Sequence, residues 1–431
     1  MAKGMIIAAP HSGSGKTLFT LGLLRALRNR GMNVVSAKAG PDYIDPGFHA
    51  AATGKPCINL DFWAMGESAV RQHALVQANN ADMLIIEGVM GLFDGPQGAK
   101  GSTADLAEAL GLPVMLVVDA SKQGQSIAAL VEGFRSFQPK LNLAGVILNR
   151  VASERHEMIL RGALEAISVS VFGALRQIDS LTLPSRHLGL VQAQESQQLE
   201  AFIEFAASRV SRETILDKIV ESTGFLADQG AFVEALSPIG QHIAIAKDQA
   251  FSFIYAHQLS EWRKQGAELS FFSPLANEAT PKADAIFLPG GYPELHAGKI
   301  AANAHFLASL RNFTGLIYGE CGGYMVLGGG LIDTKSQHHA MAGLLPLTTN
   351  FAKRKLHLGY RQLKPLTGPW KQPLRGHEFH YSTIETQGGG DPLFHASDAA
   401  GNDLGRMGQR VGKVMGSYAH IISVAVPEAS K

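Results

Sequence analysis

Met5-Ile6-Ile7-Ala8-Ala9-Pro10-His11-Ser12-Gly13-Ser14-Gly15-Lys16-Thr17 decides how the first half of this chain folds. Its first five residues read as a buried strand. The stretch from Leu18 to Arg28 carries apolar residues at helical spacing and stops at Gly31. A strand, a Gly-rich loop ending in Gly-Lys-Thr and then a helix is the context a phosphate-binding loop requires. Backbone N–H groups of Gly13, Ser14 and Gly15, with the helix N-terminus, would surround the phosphates of a nucleotide. Lys16 would offer a point charge to the outer phosphates, and the Thr17 hydroxyl would hold Mg²⁺. Pro10 stands where such loops usually have their first glycine, so the loop is a variant. A Gly/Ser-rich surface turn is the plainer alternative, but it does not explain Gly-Lys-Thr opening an amphipathic helix.

Outward from the loop, short apolar runs alternate with helical patterns, which predicts an α/β fold with a parallel sheet. The expected strands are Met5–Ala9, Val34–Ala37, Met83–Ile86, Val114–Val118, Ala144–Leu148 and Val169–Phe172. Several end at a polar residue, Glu87, Asp119 or Asn149, and ligands of open α/β sheets bind at the carboxyl ends of strands. Glu87 is the strongest of these. An acid directly after a buried strand, followed by Gly88, Gly91, Asp94 and Gly95, matches a metal-holding carboxylate of a nucleotide site. Asp42 and Asp45 lie in a loop bracketed by Gly-Pro and Pro-Gly. They are read as metal ligands or carboxylate-steering groups, with simple turn formation as the alternative. Asp45 and Asp94 flank the expected γ-phosphate and are candidates for positioning a substrate carboxylate. Asn149 either reads the adenine with its side-chain amide or caps the structure there.

The second half carries different chemistry. Tyr318-Gly319-Glu320-Cys321-Gly322-Gly323-Tyr324 places one of two cysteines on a glycine-flanked turn after the apolar run Leu316-Ile317-Tyr318. A sharp strand-to-helix turn would expose the sulfur at a helix N-terminus and lower its pKa, as a nucleophile needs. A buried structural cysteine is the bland alternative. About 30 residues upstream, a strand ending in Gly290-Gly291 offers N–H groups for an oxyanion hole, and His420 downstream is the candidate base. His377-Glu378-Phe379-His380 lacks helical His spacing and a third ligand, so it reads as a contact for an anionic or aromatic ligand rather than as zinc.

Length favours two or three domains: 431 residues exceed one ordinary core. The division expected is 1–193 for the phosphate-loop domain, 194–240 for a helical connecting segment and 241–431 for the cysteine domain. Lys+Arg 38 against Asp+Glu 37 gives no electrostatic case for nucleic acid. No 18-residue apolar run argues for a membrane span, and the chain enters its first strand without a signal peptide, which predicts a cytoplasmic protein.

Taken in order, these motifs resemble those of the a,c-diamide synthases of corrin biosynthesis, the cobyrinic and hydrogenobyrinic acid enzymes. The markers are Ser12–Thr17, Lys38–Pro46, Asn59-Leu60-Asp61, Glu87–Gly95, Leu183–Leu190, Leu288–Glu294, Gly319–Tyr324 and Gly376–His380, which span essentially the whole chain. The resemblance implies a dethiobiotin-synthetase-like ATPase domain joined to a class I glutamine amidotransferase domain, with ATP and Mg²⁺ as cofactors. It implies L-glutamine as nitrogen donor, a corrin polycarboxylate as acceptor, Cys321 as nucleophile and His420 as its base. A homodimer is the candidate assembly. Class I glutaminases usually carry a glutamate two residues after that histidine, but here the position is Ile422, so the expectation is a Cys–His dyad. Arg354–Arg361 and Asn59–Met65 resemble the hydrogenobyrinic branch more than the cobyrinic one. Nickel sirohydrochlorin is a more distant acceptor. A partition-type regulatory ATPase would share the first domain but has no use for Cys321 and its glycines.

Overall fold

A computed structural model describes residues 2–178, 185–186, 189–190, 192–193, 198–227 and 234–426. The chain forms two compact units, one comprising Met1–Pro96 with Lys100–Val233, the other Gln97–Ala99 with Glu234–Lys431.

In the first unit, β1 (Lys3–Ala8), β2 (Val34–Ala39), β3 (Ile58–Leu60), β4 (Met83–Glu87), β5 (Val114–Asp119), β6 (Leu143–Val151) and β7 (Val171–Arg176) stand in the order β3-β2-β4-β1-β5-β6-β7. Every adjacent pair is parallel. Strands of this kind are covered on both faces, so they read as continuous apolar runs rather than alternating ones. Along β4 every residue is buried. The intervening helices are α1 (Lys16–Asn29), α2 (Asp45–Thr53), α3 (Phe62–Gln77), α4 (Thr103–Leu110), α5 (Ile127–Phe137) and α6 (Glu154–Glu165). β3 was not anticipated. Its neighbours explain the Asn59-Leu60-Asp61 motif: Asn59 Nδ2 donates to the carbonyls of Gly40 (2.9 Å) and Asp42 (2.7 Å), and Asp61 caps α3 by accepting from Ala64 N–H. The motif is a brace for the 40–45 loop.

β8 (Ser185–Arg186) and β9 (Gly189–Leu190) pair antiparallel. The rest of the Leu183–Leu190 motif lies outside the described residues. The helices α7 (Leu199–Glu213) and α8 (Leu216–Glu221), read from sequence as connecting, are packed into the first unit. Ile203, Ala207, Val210, Leu216 and Ile219 join the same buried cluster as Phe19, Leu23 and Leu27 of α1. The chain then forms β10 (Gly224–Phe225), an unanticipated strand antiparallel to the start of β1.

The second unit has β11 (His242–Ala246), α9 (Ala256–Lys264), β12 (Glu268–Phe272), β13 (Ala285–Leu288), α10 (Ala297–Ala302), α11 (Ala304–Asn312), β14 (Leu316–Glu320) and α12 (Gly322–Leu327). It continues almost wholly in strands: β15 (Gly330–Ile332), β16 (His338–Ala340), β17 (Leu347–Asn350), β18 (His357–Pro365), β19 (Leu374–His380), β20 (Thr383–Gln387), β21 (Asp391–Ser397), β22 (Asp403–Val411), β23 (Val414–Ser417) and β24 (His420–Val424). The main sheet runs β12-β11-β13-β14-β23-β22-β21-β18-β19-β24. Its first five strands are parallel and the remainder antiparallel. A smaller sheet has the order β16-β15-β17-β20. Among the described residues no helix is long and apolar enough to cross a membrane.

Candidate active sites

The phosphate loop joins β1 to α1 with Gly13 and Gly15 at φ 81° and 93°. Gly15 is the residue from which α1 starts, and a Cβ there would lie 2.1 Å from Asn149 Nδ2. Only glycine allows both the left-handed turn and that approach. Asn149 Nδ2 donates to Ser14 O at 2.9 Å. The nitrogen expected to read adenine or to cap is therefore engaged in bracing the loop.

Behind the loop lies a buried ionic cluster. Glu87, at the end of β4, is fully buried and accepts from Thr17 Oγ1 (2.6 Å) and Lys38 Nζ (3.0 Å), while His49 Nε2 lies 2.7 Å from its other oxygen. Lys38 also meets Asp45 at 2.6 Å and Asp42 at 4.0 Å. Burial alone would raise the Glu87 pKa, but Lys38, His49 and Thr17 hold it well below the usual carboxylate range. Burial would likewise discharge Lys38, yet Asp45, Glu87 and Asp42 hold its pKa well above the ordinary value. Three carboxylates share this one lysine. Burial and the neighbouring Asp42 consequently push Asp45 up to about 7. His49 is carried to about 10 against its burial by Cys57, whose Sγ lies 3.6 Å from Nδ1, and by Glu87.

Asp42 also makes the turn that was its plainer reading, its Oδ1 accepting from Ile44 and Asp45 N–H groups. Asp94 accepts from Gly91 N–H at 2.8 Å. Lys16 Nζ donates to Met90 O at 2.6 Å, and burial lowers its pKa. A hydroxyl beside an excess of carboxylates is a hard-oxygen donor set, which suits a divalent cation such as Mg²⁺. The sequence reading missed Lys38 and His49. A lysine inside a strand whose every residue is buried was the available signal for the first.

In the second unit Cys321 sits on the turn between β14 and α12 at φ 45°, ψ −105°. A non-glycine residue in that region is strained and persists only where its surroundings hold it. Cys321 N–H donates to Ser417 O at 2.8 Å, which ties the turn to β23. The thiol is not exposed, as expected from sequence, but buried at 2%. Its pKa is raised, not lowered: burial acts first, the Glu294 charge adds to it, and the Gly322 N–H opposes both without prevailing. Six residues of α12 do not outweigh desolvation.

His420 opens β24, opposite His377 of β19. Its ring lies on Gly290, where an added Cβ would be 2.3 Å from Cε1. Gly290 thus seats the imidazole, and its carbonyl accepts from Phe253 N–H at 3.0 Å. The Gly291 turn abuts the cysteine turn, since a Cβ on Gly322 would lie 3.1 Å from Gly291 N. Burial, then His377 and His380, pull His420 down to about 3, so it is a neutral acceptor at physiological pH. Ile422 is buried at 2% and offers no acid. Instead Glu320, the residue before the cysteine, places Oε2 3.8 Å from His420 Nδ1.

His357, Glu378 and His380 bring one ligand atom each within 4.8 Å of the others, with His357 where the sequence had suggested no third partner. The His357 and His380 rings lie 4.7 Å apart and 10° from parallel, so their in-plane lone pairs do not converge. Glu378 is already bound by Arg361 (2.7 Å) and His380 (2.8 Å). The cluster is an ion-paired network beside His420.

Residues 5–191 match the CobQ/CobB/MinD/ParA nucleotide binding domain and residues 242–426 the CobB/CobQ-like glutamine amidotransferase domain. A protein of Brucella anthropi named hydrogenobyrinate a,c-diamide synthase is 54% identical over 428 residues, covering 97% of this chain and 98% of its own. One of the same name from Rhizobium meliloti is 52% identical over 424 residues, covering 97% and 99%. A third, from Mesorhizobium japonicum, is 48% identical over 436 residues, covering 98% and 99%. With both family models matched along this chain and nearly end-to-end coverage of these relatives, the chain belongs to the hydrogenobyrinate a,c-diamide synthase family.

Proposed function

We propose that this chain is a glutamine-hydrolysing ligase that amidates the a and c carboxylates of hydrogenobyrinic acid, using ATP. The observation that carries the reading is the pairing, in one chain colinear with these relatives, of a phosphate loop backed by carboxylates and a strained cysteine whose turn abuts the Gly290-Gly291 segment that seats a neutral histidine. Neither alone makes an amide from a carboxylate. A carboxylate at neutral pH is a poor electrophile, so an oxygen must first become a leaving group.

In the first unit the N–H groups of Gly13, Ser14 and Gly15 bind the phosphates, and Lys16 moves from Met90 O onto the outer ones. Thr17, Glu87 and Asp42 are the residues that would hold Mg²⁺, which would supply charge neutralisation at the transferring phosphate. Asp45 and Asp94 position the substrate carboxylate, whose oxygen takes the γ-phosphoryl group to give an acyl phosphate. Ammonia then attacks the carbonyl carbon, and phosphate leaves. Asn149 keeps the loop in shape.

In the second unit His420 takes the Cys321 proton as sulfur attacks the glutamine amide carbon, and returns it to the departing ammonia. Water then hydrolyses the thioester. The Gly291 N–H, beside the cysteine turn, and the Gly322 N–H stabilise the oxyanion, whereas Gly290 serves by seating His420. A raised thiol pKa fits this order of events, because the proton leaves only when substrate and base are in place. The enzyme acts in the cytoplasm, as a homodimer.

The test is incubation with ATP, Mg²⁺ and glutamine against hydrogenobyrinic and cobyrinic acids separately, with products resolved by mass. A diamide from the metal-free acid supports the reading. Amidation of cobyrinic acid alone overturns the substrate, and no amide from either overturns the function.

A further inference from the structure

The acid that usually follows the base histidine of such sites is replaced by Ile422, yet a carboxyl group reaches the same imidazole from another strand. Glu320 ends β14 and turns its side chain inward, where only 2% of it is exposed, as is the case for His420. Oε1 accepts the N–H of Ile421 at 3.1 Å, and Oε2 faces His420 Nδ1 at 3.8 Å. Also facing the ring are His377, His380 and Glu378 of β19, Gly290 beneath it and Phe253 at a centroid distance of 6.3 Å. Among these, Glu378 has both oxygens engaged by Arg361 and His380.

We propose that Glu320 is the positioning residue of the glutaminase site, orienting His420 through Nδ1 so that Nε2 accepts the Cys321 proton. Two features of the geometry carry this. The bond from Ile421, the neighbour of His420, fixes the carboxyl relative to the ring's own backbone. Glu320 and Cys321 are consecutive, so the orienting group and the nucleophile ride on one strand end, which is itself tied to Ser417 by the Cys321 N–H. A gap of 3.8 Å is longer than a hydrogen bond, and such contacts tighten when substrate binds. With Nδ1–H directed at Glu320, the thiol proton goes to Nε2, the sulfur electron pair forms the thioester bond, and the same proton leaves with ammonia. Glu320 stays directed at Nδ1 through these steps and exchanges no proton with substrate.

The inference rests on Cys321 and His420 being the glutaminase pair, and the experiment separates the two. Glu320→Gln keeps an oxygen for Ile421 N–H and removes the acid, while Glu320→Asp keeps the acid on a shorter arm. Glutaminase kcat of Glu320→Gln should fall about 10- to 100-fold, a typical share for an oriented base, with KM little changed. Its thermal midpoint should be at least that of the wild type, because burial pushes the Glu320 carboxyl up to about 8 and a neutral amide avoids that cost. The His420 Nδ1–H proton resonance should move, and Glu320→Asp should recover part of kcat. Full kcat with an unshifted resonance in Glu320→Gln overturns the role of Glu320. Full glutaminase activity in Cys321→Ser would instead overturn the reading on which it rests.

Discussion

Gly290→Ala isolates the geometry of the glutaminase site with a single methyl group. A Cβ at this position would lie 2.3 Å from His420 Cε1 and 3.2 Å from both ring nitrogens. Ordinary contact begins at 3.4 Å, so the ring must retreat by about 1.1 Å (3.4 − 2.3) or the strand must yield. The neighbourhood is packed, with Ala419 and Ile421 both fully buried beside the ring, and overpacking of this kind costs about 1–3 kcal/mol. A displacement near 1 Å at a catalytic group costs on the order of 100-fold in rate. Glutamine hydrolysis should therefore fall about 100-fold, while synthesis from ammonium salt continues and the second unit still unfolds cooperatively. Alanine keeps the Gly290 N–H, so the loss cannot come from an oxyanion donor. Wild-type glutaminase turnover in a folded Gly290→Ala protein would refute the seating of His420 on this glycine.

The phosphate site makes further predictions. Lys16→Ala should abolish synthesis with glutamine and with ammonia alike, measured as amide product, since both routes need the same acyl phosphate. Lys38→Met removes the cation shared by Asp45 and Glu87, and should destabilise the first unit by about 3–5 kcal/mol in denaturant melts. His420 gives a pH prediction. Its folded pKa, pulled down to about 3, lies below the unfolded value of 6.5, so the unfolded chain binds the proton first. The second unit then loses stability as pH falls through 6.5 and keeps losing it until about 3, and His420→Asn should flatten that part of the profile.

Local patterns made much of this legible. The phosphate loop and the cysteine turn are written in glycines a few residues apart, and the buried strands in unbroken Val, Ile and Leu runs. β3 escaped because three residues are too few to show a period, and β10 because two residues, one of them a glycine, are fewer still and pair only with the start of β1. Contacts between distant segments were harder still. Glu320 reaches Ile421 across 101 positions, and His49 reaches Glu87 across 38, with nothing in either segment to announce it. The direction of the Cys321 pKa was misjudged for a related reason. A helix N-terminus is visible in sequence, whereas full burial beside Glu294 and Glu378 is a property of the fold.

The most direct test of two half-reactions in two units is to follow the amide nitrogen itself. Wild type and Cys321→Ser are each given hydrogenobyrinic acid, ATP and Mg²⁺ with amide-¹⁵N-glutamine or with ¹⁵N-ammonium, and the isotope content of the product is read by mass. The account predicts labelled diamide from both donors in the wild type, and from ammonium alone in Cys321→Ser. Transfer of label from glutamine by Cys321→Ser at the wild-type rate would contradict it.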